Sequence, residues 1–175
     1  GCGSSTAKDD GAAKKEDVAD DAEKKDTASD GEFNITVNLA SEPQTMDPTL
    51  STSLDAGTMA HHLFEGLMKW EDSGEAANGS DGTADSGKLV PGQAESYEKT
   101  ENDDGTVTYT FKLRDGIKWS DGKDVTAGDF EYSWKRLVSP DTAADYNYML
   151  DCVVNANEIM AGEKDPSELA VKAEI

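Results

Sequence analysis

Positive charge is what this 175-residue chain has least of: 16 Lys and Arg stand against 37 Asp and Glu, for a formal charge of −21 and a pI near 4.2. Such a surface repels phosphate backbones and anionic lipid alike, which argues against nucleic acid as a partner and against docking through a bare basic patch. Apolar runs long enough for a bilayer, about 18 residues, are missing too. Cysteine occurs twice, at 2 and 152, too few and too far apart for a disulfide framework. Cys152 lies in the apolar stretch "YMLDCVVNA" and is expected to behave as a small buried hydrophobe. Histidine also occurs twice, as the neighbours His61 and His62. On a helix adjacent side chains point about 100° apart, so the two cannot share a metal. Glu65 is the only ligand type four residues from either, and no metal or other cofactor is expected.

Aromatic residues are absent from residues 3–31, where Val18 is the one large aliphatic among five lysines and nine acids. Such a segment buries too little apolar surface to offset its ordering entropy, so residues 1–31 are expected to be a solvated tether. Gly1-Cys2 followed by small polar residues resembles the end of a bacterial lipobox. That implies a diacylglycerol thioether on Cys2, whose two acyl chains suffice for stable membrane anchoring.

Order is expected from "EFNITVNLA", where Phe33, Ile35, Val37 and Leu39 alternate with polar residues as in a half-buried strand. The loop "SEPQTMDPTLSTSLDAG" follows. "AGTMAHHLFEGLMKW" reads as helical, with Met59, Leu63, Phe64 and Leu67 at helical spacing and Gly66 as a breaker. Residues 71–88 hold no large apolar side chain and are expected to be a mobile insertion. Its acids invite a calcium loop starting at Asp81, but Ser86 then falls where glycine is required and Gly92 where the bidentate Glu belongs. "AESYEKTENDDGTVTYTFKL" is a hairpin turned by Asp104-Gly105. Helices are expected through "FEYSWKRLV", stopped by Ser139-Pro140, and from Met149 to Ala161, ended by Gly162. A last strand, "LAVKAEI", alternates Leu169, Val171, Ala173 and Ile175 and stops without a turn, which suggests a truncated chain.

The charged stretch "LRDGIKWSDGKDVTAGDF" has the appearance of an active site, yet each polar residue has a structural use. Asp115-Gly116 and Asp121-Gly122 are turns flanking a short strand, Ile117 to Trp119. Thr126 and Asp129 form a capping box for a helix that buries Phe130, Trp134 and Leu137. No nucleophile, base or ligand set accompanies the acids, so no enzyme is expected.

The same stretch carries a resemblance. "FKLRDGIKWSDGKDVTAGDFEYSWKR" resembles the signature of the extracellular solute-binding proteins of the oligopeptide/dipeptide/nickel group, which feed ABC importers. "SEPQTMDP", "LFEGLMKW", "PGQAESYE", "SPDTAADYNYML" and "LAVKAEI" continue it in order, over about residues 32–175. The resemblance implies a mixed α/β (α+β) chain forming the N-terminal part of a two-lobed periplasmic-binding-protein-like fold. Residues 32–56 would supply the first strand and ligand-side loop, and 57–175 the extra domain of the peptide-binding class. It implies capture of peptide between lobes and delivery to an ABC permease at the extracytoplasmic face of the membrane, with a Gram-positive surface fitting a lipid tether on Cys2. By resemblance, Thr52, Ser53 and Leu54 form an extended strand beside the peptide backbone, and Tyr146 lies near the ligand. The family's acidic anchor for a peptide amino terminus belongs to the second lobe and has no counterpart here. A non-peptide solute (nickel, haem, an oligosaccharide), a signalling peptide, or an acidic surface-adhesion lipoprotein remain open as alternatives.

Overall fold

The computed structural model describes residues 34–71 and 87–174. The chain divides into two compact units, residues 1–38 and 39–175. In the first, only Asn34 to Asn38 are described. They are exposed and, like Leu39, belong to no strand among the described residues; of the strand expected from Phe33 to Leu39, residues 34–39 are not in a strand and Phe33 lies outside the described residues. Ile35 stays 70% exposed, because a period-two apolar face becomes a strand only against a hydrogen-bonding neighbour. Cys2 and the expected tether lie outside the described residues, as do residues 72–86 and with them most of the expected insertion.

The second unit opens with a loop, then α1 (Leu54–Leu63), which runs across the 56–57 boundary. Met68–Glu71 forms β1, paired antiparallel with β2 (Lys88–Pro91), Met68 opposite Pro91 and Glu71 opposite Lys88. This corrects two expectations. The helix stops before Gly66, with Phe64 already extended at its C-cap, and "LMKW" is a strand. Residues 71 and 88 are themselves paired strand ends and not part of an insertion.

β3 (Ala94–Glu101) and β4 (Val107–Leu113) form the expected hairpin, Tyr97 opposite Phe111 and Glu101 opposite Val107. Gly105 at φ 86° makes the turn, and Asp104 Oδ1 accepts from the Thr106 N–H at 2.9 Å. Tyr97, Tyr109 and Phe111 cluster with centroids 5.7–6.4 Å apart. The two hairpins meet at "PGQA": Gly92 and Ala94 N–H donate to Leu67 O at 3.0 Å, and Gln93 N–H donates to Gly66 O at 2.9 Å.

Between β4 and the next helix the acids sit where the sequence places them. Gly116 and Gly122 take positive φ, Asp121 Oδ1 accepts from Lys123 N–H at 3.0 Å, and Asp129 Oδ2 accepts from Thr126 N–H at 2.7 Å. The short strand around Lys118 is reduced to a single bridge to Asp124. α2 (Ala127–Val138) then packs on α3 (Ala156–Met160). The core they share is Val138, Ala156, Ile159 and Leu169, with Trp134, Leu150, Val153 and Val171 packed against it.

Three further expectations are corrected here. The helix from Met149 to Ala161 is broken into a 3-10 turn, Asn147–Leu150, and α3, because Asn155 takes φ 72° and its Nδ2 donates to Glu168 O at 2.7 Å. Cys152 is an exposed free thiol: it falls in the turn between those elements, where Leu150, Val153 and Ala156 take the inward positions. Residues 169–174 belong to no strand, although their burial still alternates as the sequence does. Side-chain and turn contacts replace the ladder, Ala170 N–H donating to Val154 O and Ala173 N–H to Glu131 Oε2.

Candidate functional site: a groove beside the first helix

Ser53 keeps extended backbone angles (φ −96°, ψ 153°) and its Oγ accepts from Ala56 N–H at 3.2 Å. It is the N-cap of α1, filling one of the donors that a first helical turn leaves unpaired. Leu54 is therefore the first helical residue, and the extended segment ends at Ser53. Gly57, Thr58 and His61 follow on one face of α1. Across from them stands Tyr146, which precedes the 3-10 turn Asn147–Leu150 and has the Tyr148 ring 5.9 Å away. Ser51 to Leu54, Gly57, Thr58, His61 and Tyr146 line one open groove of about 450 Å³.

Thr52, Ser53, Leu54 and Tyr146 thus come together from segments more than 90 positions apart. Five of its eight lining residues carry a hydroxyl, yet the surface they present is mostly carbon, and Leu54 is 86% exposed. No carboxylate lines it, in a chain with a large excess of acids. Gly57, Thr58 and His61 carried no expectation; their i, i+1, i+4 spacing places them on one helical face, but nothing local in the sequence says which face is lined by Tyr146.

The histidines are occupied locally. His61 Nδ1 donates to Gly57 O at 2.7 Å and His62 Nδ1 to Thr58 O at 2.8 Å. Glu65 is engaged elsewhere, with Lys69 at 3.1 Å and Arg114 at 2.8 Å. Among the described residues no three His, Cys, Asp or Glu side chains gather to hold a metal.

The loop leading to the groove is held by Asp47. Its carboxylate receives both arms of Arg136, Nη1 to Oδ1 at 2.9 Å and Nη2 to Oδ2 at 2.5 Å, and the Thr49 N–H at 3.0 Å. The Arg136 guanidinium beside Asp47 holds this carboxyl below its ordinary value of 3.8, partly offset by desolvation and aided by the Thr49 amide. Arg136 is raised in turn by its hydrogen bond to Asp47.

The described residues thus combine two antiparallel strand pairs, a small helical core and an open groove beside α1. Residues 88–174 match the family model of the bacterial extracellular solute-binding proteins, family 5 (described as family 5 Middle). The chain is 41% identical over 149 residues to the periplasmic oligopeptide-binding protein of Haemophilus influenzae, covering 83% of this chain and 24% of that protein. It is 39% identical over 138 residues to a probable deoxycholate-binding periplasmic protein of Escherichia coli, covering 78% and 23%. A crystal structure of the Haemophilus influenzae protein in complex with the peptide RPPGFSPFR superposes with a TM-score of 0.63 at 41% identity, covering 77% of this chain and 23% of the other. The chain therefore spans about a quarter of the length of these relatives.

Proposed function

We propose that this chain is part of a non-enzymatic carrier that captures oligopeptides outside the cytoplasm and hands them to an ABC importer in the membrane. The observation that carries the reading is the convergence of Thr52, Ser53, Leu54 and Tyr146 on one groove in a chain that matches this family's model. Ser51 to Ser53 join no strand among the described residues; Ser53 O accepts from the Gly57 N–H at 3.0 Å, which leaves the backbone groups of Ser51 and Thr52 to face a ligand. A peptide lying alongside would use them without regard to its side chains, with hydroxyls and the Tyr146 ring as adaptable flanks. That suits a carrier of mixed sequences. In this reading residues 32–56 form the ligand-side segment and residues 57–175 the extra domain, and two acyl chains on Cys2 hold the carrier to the membrane through the 1–31 tether.

A second reading keeps the carrier and changes the cargo, because the Escherichia coli relative is named for deoxycholate and is nearly as similar. Native mass spectrometry of the purified gene product separates the two. A ladder of short mixed peptides bound to it is the expected result. A single non-peptide adduct would replace the cargo, and a protein that is empty and ignores added peptides would sink the carrier reading.

A further inference from the structure

Each wall of the groove hangs by a short hydrogen-bonded path from one partner of a single ion pair. From Asp47 the path is four residues long: Leu50 N–H donates to Asp47 O at 3.1 Å and Thr49 N–H to Oδ1 at 3.0 Å, which shapes the turn into Ser51. From Arg136 it runs off the end of α2 into Ser139-Pro140. There Thr142 N–H donates to Ser139 O and Ala143 N–H to Pro140 O, both at 3.1 Å. Ala144 is buried, and Asn147 N–H returns to Ala144 O at 3.3 Å, which holds Tyr146 between them. The pair itself joins positions 89 apart in sequence through two parallel hydrogen bonds. Its side chains are about one-third exposed (32% and 31%), whereas those of the local Lys123–Asp121 pair are 81% and 53% exposed. A half-desolvated, bidentate arginine fork fixes direction as well as distance, which a single ammonium contact does not.

We propose that Asp47 and Arg136 are positioning residues: a clamp that sets the Ser51–Leu54 wall against Tyr146, and so sets affinity for ligand without touching it. The proposal rests on the peptide-carrier reading, and its test separates the two. The variants are Asp47→Asn, which keeps an acceptor for the Thr49 amide but loses the charge, Arg136→Met, and the double variant, made in the gene product that carries this sequence. Two quantities are measured well below each variant's melting temperature: the Kd for tri-, tetra- and penta-alanine by calorimetry, and amide exchange of residues 51–56 without ligand. Each single variant is expected to weaken binding roughly tenfold, the scale of one charge-assisted hydrogen bond. The double variant should be no worse than either single one, since both remove the same contact. Exchange at 51–56 should quicken while the 94–113 hairpin is unchanged.

A pair that only stabilises the fold would lower the melting temperature and leave Kd and local exchange at their wild-type values; that result overturns the proposal, as do additive losses. If Arg136→Met fails to fold, Arg136→Lys keeps the charge without the fork and is expected to fall between wild type and Asp47→Asn; wild-type behaviour in both readouts again overturns it. If the wild-type protein binds none of the peptides, the carrier reading fails, and the exchange measurement still decides the clamp.

Discussion

Gly92 shows how much one missing side chain can carry. A Cβ there would lie 3.0 Å from Leu67 O and closer still to Gly66 O, both of them backbone atoms that cannot move aside. The close approach lets the Gly92, Gln93 and Ala94 amides stitch the two hairpins together. Gly92→Ala is expected to destabilise the chain by about 1–3 kcal/mol, the range for overpacking a tight site. A denaturant titration with an unchanged slope would measure it, and a loss under about 0.3 kcal/mol would mean that the strands can separate freely at this point. Asp104-Gly105 and the glycines of "RDG" and "SDG" could be read directly from sequence, because their conformations are local demands of the turn. Gly92 could not: its constraint is the strand lying across it. Cys152 failed for the same reason, since an apolar neighbourhood in sequence does not say which side chains of a turn face inward.

Elements divide by how far away their partners lie. α2 was legible with both ends, because its capping box and its Ser-Pro stop are written within a few residues of each terminus. Asp129 Oδ2 there accepts from Thr126 N–H at 2.7 Å, from Thr126 Oγ1 at 3.2 Å and weakly from Trp119 Nε1 at 3.4 Å. Asp129→Ala should therefore cost about 1 kcal/mol, the usual value of a lost N-terminal cap interaction. It should also loosen the Trp119 ring, visible as a change in tryptophan fluorescence; unaltered stability would show that the box is ornamental. The β3–β4 hairpin was legible through its turn and its alternating second strand. By contrast "LMKW" continued a helical spacing from α1 and became strand β1 because β2, about twenty residues on, supplies the ladder. At 169–174 the reverse occurred: alternation survives as alternate burial, but no neighbour is there to make it a strand.

For the whole molecule, acid and net charge oppose each other. Asp47, Asp104, Asp121 and Asp165 are held below 3.8 by hydrogen bonds from Arg136, Thr106, Lys123 and Ser167 respectively, and Glu131 below 4.5 by Lys135. A folded-state value depressed beneath the unfolded one contributes stability above the unfolded value, and that contribution drains as pH falls through the folded one. Stability should thus drop below about pH 4. Toward neutral pH the −21 charge repels itself, so moving down from about pH 8 to about pH 5 should first strengthen the fold. The urea midpoint is expected to pass through a maximum near pH 5. A midpoint that still rises at pH 3 would show that these carboxylates are no better held folded than unfolded. Lys112, raised by Glu95, works at the other end: its contribution is present below 10.5 and is lost as pH climbs past its folded value.

The sequence by itself determined the turns of the hairpin and of "RDG" and "SDG", the caps of α2, the β3–β4 hairpin and the class of the fold, because those follow from local backbone chemistry and from motifs that travel as continuous words. Only the tertiary structure decided which apolar runs become strands, which helical face meets Tyr146 and that Arg136 grips Asp47. Each of those is a contact between distant positions, and the energy that selects it resides in the pairing and in neither segment alone.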